Sequence, residues 1–168
     1  CTETKDFNIV NPLPNVNAST LQIQCHDSQN GKISINANGG NTPYSYVWNT
    51  GDTSSSLSNL SPGFYTVTVT DASGCLSVYS DSLSNPSPIN LSLNGTDIGC
   101  YGNQDGQINS NLNGGVLPFQ YIWSNSETTD SIANLNPGTY SLTVIDQDSC
   151  IASGTDTIYE PDLIQIIA

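Results

Sequence analysis

The clearest pattern of hydrophobic and polar positions lies in residues 60–75, where apolar and polar side chains strictly alternate from Tyr65 to Thr70. The alternating residues are, in order, Tyr65, Thr66, Val67, Thr68, Val69 and Thr70. Because successive side chains of a strand point to opposite faces, this pattern predicts a half-buried strand of an antiparallel sheet. Pro62 and Gly63 supply a turn directly before it.

The same pattern occurs again in residues 135–150, at an offset of 135 − 60 = 75 residues. When residues 25–93 are aligned with 100–168 without a gap, 25 of the 69 pairs are identical. Identity at this level over a fixed period indicates a tandem repeat. We therefore predict the last strand of a preceding copy at 1–12, repeat 1 at 13–86, repeat 2 at 87–161, and the first strand of a following copy at 162–168.

Short apolar runs separated by glycine, proline and Asn-Gly or Asp-Gly turns predict further strands in each repeat. In repeat 1 they are expected at 21–25, with Leu21 and Ile23 inward, after the turn at Asn30, at 43–48, around Leu57, at the alternating segment, and at 75–83. The total is about seven strands per repeat, and no segment has helical periodicity. This favours an all-β fold of tandem immunoglobulin-like (PKD-like) antiparallel β-sandwiches.

Four aromatic residues are predicted to be structural core: Trp48, Tyr65, Trp123 and Tyr140. The Leu-x-Pro-Gly-x-Tyr sequence before each of the two tyrosines resembles the tyrosine corner of immunoglobulin-like domains, in which the hydroxyl bonds to upstream backbone. Short Asn-Pro junctions leave little freedom between repeats, so we expect an extended rod. A strand of about eight residues spans ~26 Å, which predicts an advance of ~35–40 Å per repeat.

Charge excludes two classes of partner. The chain has a net charge of −13, with only Lys5 and Lys32 against fifteen acidic residues. Nucleic acids and anionic membranes require many lysines or arginines, so neither nucleic-acid binding nor direct membrane insertion is expected. No apolar run approaches the length of a membrane-spanning helix.

The inventory of reactive side chains argues against an enzyme. The single histidine, His26, has Tyr101 as its counterpart in repeat 2, and the adjacent acids Asp146 and Asp148 have only one acidic counterpart in repeat 1. The five cysteines lack the close spacing of a zinc site. No cofactor is expected apart from possible calcium at the turn residues Asp27 and Asp105, whose spacing lacks the periodicity of a dedicated calcium loop.

Taken together, the motifs resemble the SprB repeat of very large surface adhesins of gliding bacteria. The motifs are the Asn-Gly turn, the Gly-Gly pair, Pro-Tyr-Ser-Tyr-Val-Trp at 43–48, and the segment 60–75 with its closing cysteine. Repeat 2 departs from the pattern at Ser126 and Ser149, where repeat 1 has Gly51 and Gly74. The resemblance implies a cell-surface filament, secreted by the type IX system of a Gram-negative gliding bacterium and used in gliding motility.

Two function classes remain open at this stage. In the first, the repeats are a shaft that gives reach, stiffness and multivalent attachment, with neighbouring repeats and extracellular surfaces or polysaccharides as partners. In the second, they are carbohydrate-binding or spacer modules of a secreted multidomain glycan-degrading protein. The aromatic candidates for sugar stacking are Tyr44 with its counterpart Phe119, and Phe64, although alternation places Tyr44 on the core side with Trp48.

The cysteines admit several pairings. The default for a secreted array is one disulfide per repeat, Cys25–Cys75 and Cys100–Cys150. In an immunoglobulin-like sandwich, however, the two cysteines of one repeat lie at opposite ends, one strand length of ~26 Å apart, whereas a disulfide needs Cα atoms within ~7 Å. We therefore rank Cys25–Cys150, across the junction of repeats, first. Free thiols are the third possibility.

The resemblance also implies O-glycosylation, because secreted proteins of such bacteria are modified at an Asp-Ser/Thr-aliphatic sequence. Three sites in this chain match that sequence. The acceptor residues would be Ser82, Ser131 and Thr157, of which Ser82 and Thr157 are equivalent positions of the two repeats. An outward hydroxyl is equally compatible with an unmodified polar surface.

Overall fold

The computed structural model describes residues 12–164, and it contains strands and no helix within that range. The chain divides into two compact units, Cys1–Asn85 and Pro86–Ala168. The predicted strand at 1–12 lies almost wholly outside the described residues. Residues 162–164 are not in a strand, and the rest of the predicted strand at 162–168 lies outside them. The predicted domain boundaries stay predictions.

Unit 1 contains six strands in two antiparallel sheets. The strands are β1 (Asn15–Leu21), β2 (Gly31–Asn38), β3 (Ser45–Trp48), β4 (Ser56–Leu60), β5 (Gly63–Thr70) and β6 (Leu76–Leu83). One sheet has the order β1-β2-β4 and the other β3-β5-β6. Strand β5 is the centre of its sheet and pairs with β6 over its whole length, from Gly63↔Leu83 to Thr70↔Leu76.

Unit 2 repeats this arrangement. Its strands are β7 (Asn90–Thr96), β8 (Gly106–Asn113), β9 (Gln120–Trp123), β10 (Ser131–Leu135), β11 (Gly138–Ile145) and β12 (Ile151–Ile158). Its sheets have the orders β7-β8-β10 and β9-β11-β12. Every strand begins 75 residues after its counterpart, as in 90 − 15 for the first pair, so the sequence period is also the structural period.

The core of each unit lies between its two sheets. In unit 1, Ile33 of β2 and Val67 and Val69 of β5 are fully buried, and Ile108, Leu142 and Val144 take these places in unit 2. The predicted tryptophans complete the cores, with exposed fractions of 2% for Trp48 and 3% for Trp123. Burying an aromatic side chain contributes roughly 1.5–3 kcal/mol, which matters in units of this size.

Hydrogen bonds satisfy the polar groups of the core aromatic residues. The indole N–H of Trp48 donates to the carbonyl of Ser54 at 2.8 Å. The hydroxyl of Tyr65 donates to the carbonyl of Ser61 at 2.8 Å, and that of Tyr140 to Asn136 at 3.0 Å. Both tyrosines are partly buried and pack against the core. The predicted tyrosine corner is therefore present in both units.

The first strand differs from the prediction. Strand β1 ends at Leu21, which is 52% exposed, whereas Ile23 beyond the strand end is 4% exposed. The expectation that both residues point inward from a strand at 21–25 is wrong for Leu21, because this residue continues the outward row of β1. Each unit also has six strands rather than about seven.

Candidate cross-link sites and binding surfaces

A buried aspartate links two turns at one end of unit 1. Asp71 follows β5 and is 4% exposed. Its Oδ2 accepts the backbone N–H of Asn41 at 2.9 Å, and its Oδ1 accepts those of Ser73 at 2.9 Å and Cys75 at 2.8 Å. The bond from Asn41 is the main cause that lowers the pKa of this carboxyl below its usual value. Asp71 thus joins the turn between β2 and β3 to the turn between β5 and β6.

Unit 2 has the same arrangement around Asp146, which is 6% exposed. Its carboxylate accepts the backbone N–H groups of Val116 at 3.0 Å, Asp148 at 2.9 Å and Cys150 at 2.8 Å. This role was not predicted from the sequence. The available indication was that both repeats have an aspartate directly after the strand with alternating apolar and polar residues. Asp146 is therefore engaged in holding backbone rather than paired with Asp148 for chemistry.

At the opposite end of each unit, the turn after the first strand is tied to the chain that leaves the last strand. In unit 1 the backbone N–H of Asp27 donates to Oδ1 of Asn85 at 2.9 Å, and Nδ2 of Asn85 donates to Oδ1 of Asp27 at 2.8 Å. In unit 2 the backbone N–H of Gly102 donates to Glu160 at 2.6 Å. Both partners differ between the repeats, yet the contact is kept.

The turn residues considered for calcium have these structural contacts. Asp27 also lies 3.3 Å from Nε2 of His26, and Asp105 accepts the backbone N–H of Gly99 at 3.1 Å. Within residues 12–164, no three histidine, cysteine, aspartate or glutamate side chains come together in a group that could hold a metal ion. Calcium at Asp27 or Asp105 stays a prediction.

The four cysteines within residues 12–164 fall into two states. Cys25 and Cys150 are disulfide-bonded, whereas Cys75 and Cys100 carry free thiols. This is the distribution that the pairing Cys25–Cys150 predicts. The within-repeat pairs Cys25–Cys75 and Cys100–Cys150 are wrong. In unit 1, Cys75 lies directly before the first residue of β6. The turn that contains Cys25 is hydrogen-bonded to Asn85, which lies after the last residue of β6. The eight residues of β6 therefore separate the two cysteines.

The family comparison agrees with this two-unit organisation. The family model of the SprB repeat matches residues 17–53 and 92–128, again at an offset of 75. The chain carries two SprB repeats. Each match begins within the first strand of its unit and ends in the loop after the third strand. None of the curated proteins matches the chain.

Solved structures similar to the two SprB repeats contain immunoglobulin domains. One is the N-terminal eight Ig domains of Down Syndrome Cell Adhesion Molecule (DSCAM) isoform 1.30.30, at 15% identity over 89% of this chain and a TM-score of 0.47. This chain spans 25% of that structure. Another is the amphioxus IgVJ-C2 molecule, at 15% identity over 79% of this chain and 97% of that one, with a TM-score of 0.36. Each SprB repeat is an immunoglobulin-like β-sandwich, as its strands and core show.

The predicted O-glycosylation residues differ in their surroundings. Ser82 and Ser131 are exposed, whereas Thr157 is half-buried and its hydroxyl lies 3.0 Å from that of Thr139. The aspartate before Ser82 accepts the backbone N–H of Ser82 at 2.8 Å, and the same bond joins Asp156 to Thr157 at 2.8 Å. The two equivalent acceptor positions therefore share this backbone hydrogen bond but differ in exposure, and their modification stays a prediction.

The aromatic candidates for sugar stacking also separate. Phe64 is 82% exposed on the outward face of β5, and Thr139 takes its place in the second SprB repeat. Tyr44 packs against the core and its hydroxyl donates to the carbonyl of Gly39, while Phe119 packs against the core of unit 2. The exposed ring of Phe64 therefore has no aromatic counterpart at the equivalent position of the second SprB repeat. Within the described residues, no helix is long and apolar enough to cross a membrane.

Proposed function

We propose that the chain is a repetitive shaft segment of a very large bacterial cell-surface adhesin. The repeats would give reach, stiffness and multivalent attachment to extracellular surfaces. One observation carries the proposal: two SprB repeats reproduce the same sandwich at a constant 75-residue period, each with its own core, tyrosine corner and buried aspartate. Units that fold around their own cores can be added in number without altering one another, which is what a shaft requires.

Two further observations support a location outside the cell. The bonded state of Cys25 and Cys150 fits an oxidising compartment, because cytosolic thiols are kept reduced. The net charge of −13 keeps a long chain soluble and discourages collapse onto other acidic chains. Cell-surface placement is the general property of proteins with SprB repeats. Secretion by the type IX system, and a role in gliding motility, are the finer parts of our proposal.

A deletion series in the bacterium that makes the protein tests this role. An in-frame deletion of residues 87–161 removes one whole period and should leave export and attachment close to normal. Deletion of the whole set of SprB repeats should abolish attachment and gliding while the remaining protein is still exported. Cells that attach and glide normally without any SprB repeat would contradict the proposal.

The alternative is a carbohydrate-binding or spacer module of a secreted glycan-degrading protein. The observation that favours it is the 82% exposure of Phe64, since an exposed aromatic ring can stack on a sugar. Saturable binding to a glycan that is lost in Phe64→Ala would support this second candidate. The threonine at the equivalent position of the second SprB repeat argues against it as a property of every repeat.

A further inference from the structure

One sheet of each unit presents an outward face that is rich in amide side chains. In unit 2 this face belongs to the sheet β7-β8-β10, and all of its outward residues on β7 and β8 are exposed. Those residues are Asn90, Ser92, Asn94, Thr96, Gln107, Asn109, Asn111 and Asn113. We call this surface the amide face. Its counterpart in unit 1 carries Asn15, Asn17, Asn36 and Asn38.

Asparagine in these places runs against the preference of a strand. Asparagine is depleted from strands, whereas β-branched residues such as threonine are favoured. The outward face of β5, in the other sheet of unit 1, follows that preference with Thr66, Thr68 and Thr70. The departure on the amide face therefore has another cause than strand formation, and such departures mark functional positions.

Bonding within the sheet does not account for the amides. Among the outward residues of both amide faces, the described structure has one hydrogen bond between amide side chains, from Nδ2 of Asn15 to Oδ1 of Asn38 at 3.1 Å. In unit 2, the hydroxyl of Ser92 reaches the carbonyl of Asn111 at 3.5 Å, which involves no amide side chain. The side-chain donors and acceptors of Asn94, Asn109 and Asn111 thus face solvent.

The chemistry of the amide face restricts its ligand. In unit 2 its outward residues include no charged and no aromatic side chain, although the whole chain has a net charge of −13. An anionic polymer would be repelled by the rest of the surface, and a lipid or a protein partner would require an apolar or aromatic centre that this face lacks. Each amide offers both donors and an acceptor, which is the combination that a sugar hydroxyl also offers.

The pairing of the strands arranges these amides in rows. Asn109 lies opposite Asn94, and Asn111 lies opposite Ser92. Outward side chains recur about every 7 Å along a strand and face one another about 5 Å apart across the pair. We propose that the amide face binds an extended neutral polysaccharide, whose hydroxyls run along these rows of donors and acceptors.

This inference rests on the proposed adhesive role, because it names the ligand class through which the repeats would attach. One face offers only exposed, water-competed hydrogen bonds, so its affinity for a single sugar chain is low. Repetition of the face along the chain converts weak single contacts into firm attachment.

The test is affinity electrophoresis of the 168-residue chain in native gels that contain a soluble polysaccharide. The neutral probes are laminarin, xyloglucan and galactomannan, and alginate is the anionic control. At least one neutral probe should retard the chain in a saturable way, and alginate should not. The double variant Asn109→Thr, Asn111→Thr removes two amides and improves strand propensity, so it should fold and bind at least about tenfold more weakly.

Matched controls separate the amide face from the rest of the surface. Ser141→Thr with Ser153→Thr makes the same number of changes to threonine on the exposed face of the other sheet, and it should bind as the parent does. If the threonine variant of the amide face does not fold, Asn109→Asp with Asn111→Asp keeps the shape and removes the amide donors. Its binding should also be lost.

Three results would overturn the inference: no retardation by any neutral probe, equal retardation by alginate, or undiminished binding of both amide-face variants. None of these results would affect the proposed function, because the deletion series measures the attachment of cells whatever ligand the repeats bind. Conversely, normal attachment of cells without the repeats would end the proposed function even if the isolated chain bound a polysaccharide.

Discussion

Two turns provide a measurement of local backbone strain within one chain, because at each of them a glycine of repeat 1 is a serine in repeat 2. Gly51 and Gly74 have φ values of 87° and 81°, and their counterparts Ser126 and Ser149 have values of 72° and 66°. All four turns are closed by the same bond to the residue three positions earlier, at 2.9 Å for Gly51 and 3.0 Å for the others. Replacing both serines with glycine should therefore stabilise unit 2.

The magnitude follows from the backbone alone. A Cβ atom built on Gly51 or Gly74 would meet nothing within 4 Å, so sterics with other residues do not contribute. A residue with a Cβ atom in the left-handed region costs about 1–2 kcal/mol. Replacement with glycine removes this cost, but about 0.4–1 kcal/mol of the gain is offset because glycine has more conformational freedom in the unfolded chain. The net effect is about 0.5–1 kcal/mol per site, or about 1–2 kcal/mol for the pair.

Scanning calorimetry of the whole chain measures this effect. One kilocalorie per mole shifts the midpoint of a unit of this size by about 4–8 °C, so Ser126→Gly with Ser149→Gly should raise one transition clearly. The reverse exchange, Gly51→Ser with Gly74→Ser, is the matched control and should lower the transition of unit 1 by a similar amount. A midpoint that is unchanged or lowered by the two serine-to-glycine substitutions would show that the serines are not strained at these positions.

Three further predictions concern the buried aspartates and the cysteines. Asp146→Ala leaves three backbone N–H groups without their acceptor and should lower the free energy of unfolding of unit 2 by about 3 kcal/mol in urea titrations, whereas Asp148→Ala should have little effect. The pKa of Asp71 is lowered in the folded state by its backbone hydrogen bonds, so its stabilising contribution is present above about pH 4 and is lost as the pH falls through that lower pKa. Urea midpoints measured between pH 6 and pH 3 should thus fall less in Asp71→Asn than in the parent chain, and an equal fall would contradict this role. Peptide mapping without reduction should recover a peptide that joins Cys25 to Cys150. A peptide that joins Cys25 to Cys75, or Cys100 to Cys150, would contradict the pairing.

Much of the sandwich could be predicted because its main strands follow simple rules. A single physical explanation accounts for each of three features: the alternation in β5 and β11, the tryptophans of β3 and β9, and the glycines of the turns. The repeat doubled this information, since a residue needed for the fold recurs 75 positions later.

The first strand could not be located in this way. Strand β1 presents only Val16 and Ala18 as partly buried apolar residues between outward asparagines and a serine. The larger pair Leu21 and Ile23 gave a stronger local signal, although one is exposed and the other is buried beyond the strand end. Tertiary contacts, rather than local propensity, therefore decide this strand.

The buried aspartates were also beyond local patterns, whereas the state of the cysteines was predicted from the topology of the sandwich. A carboxylate that holds three backbone N–H groups of two different turns depends on the approach of segments about thirty residues apart, as in Asp71 and Asn41. Cysteine connectivity cannot be deduced from spacing alone. Only the position of each cysteine at one end of its sandwich separates the alternatives.

We propose that these SprB repeats belong to the shaft of a very large surface adhesin. Antibodies against the 168-residue chain test it most directly, by immunoblotting of whole cells together with labelling of intact cells. We expect a single chain of many hundreds of kilodaltons and labelling of the surface of unbroken cells. A secreted protein of ordinary enzyme size, found in the medium with no label on the cells, would contradict it.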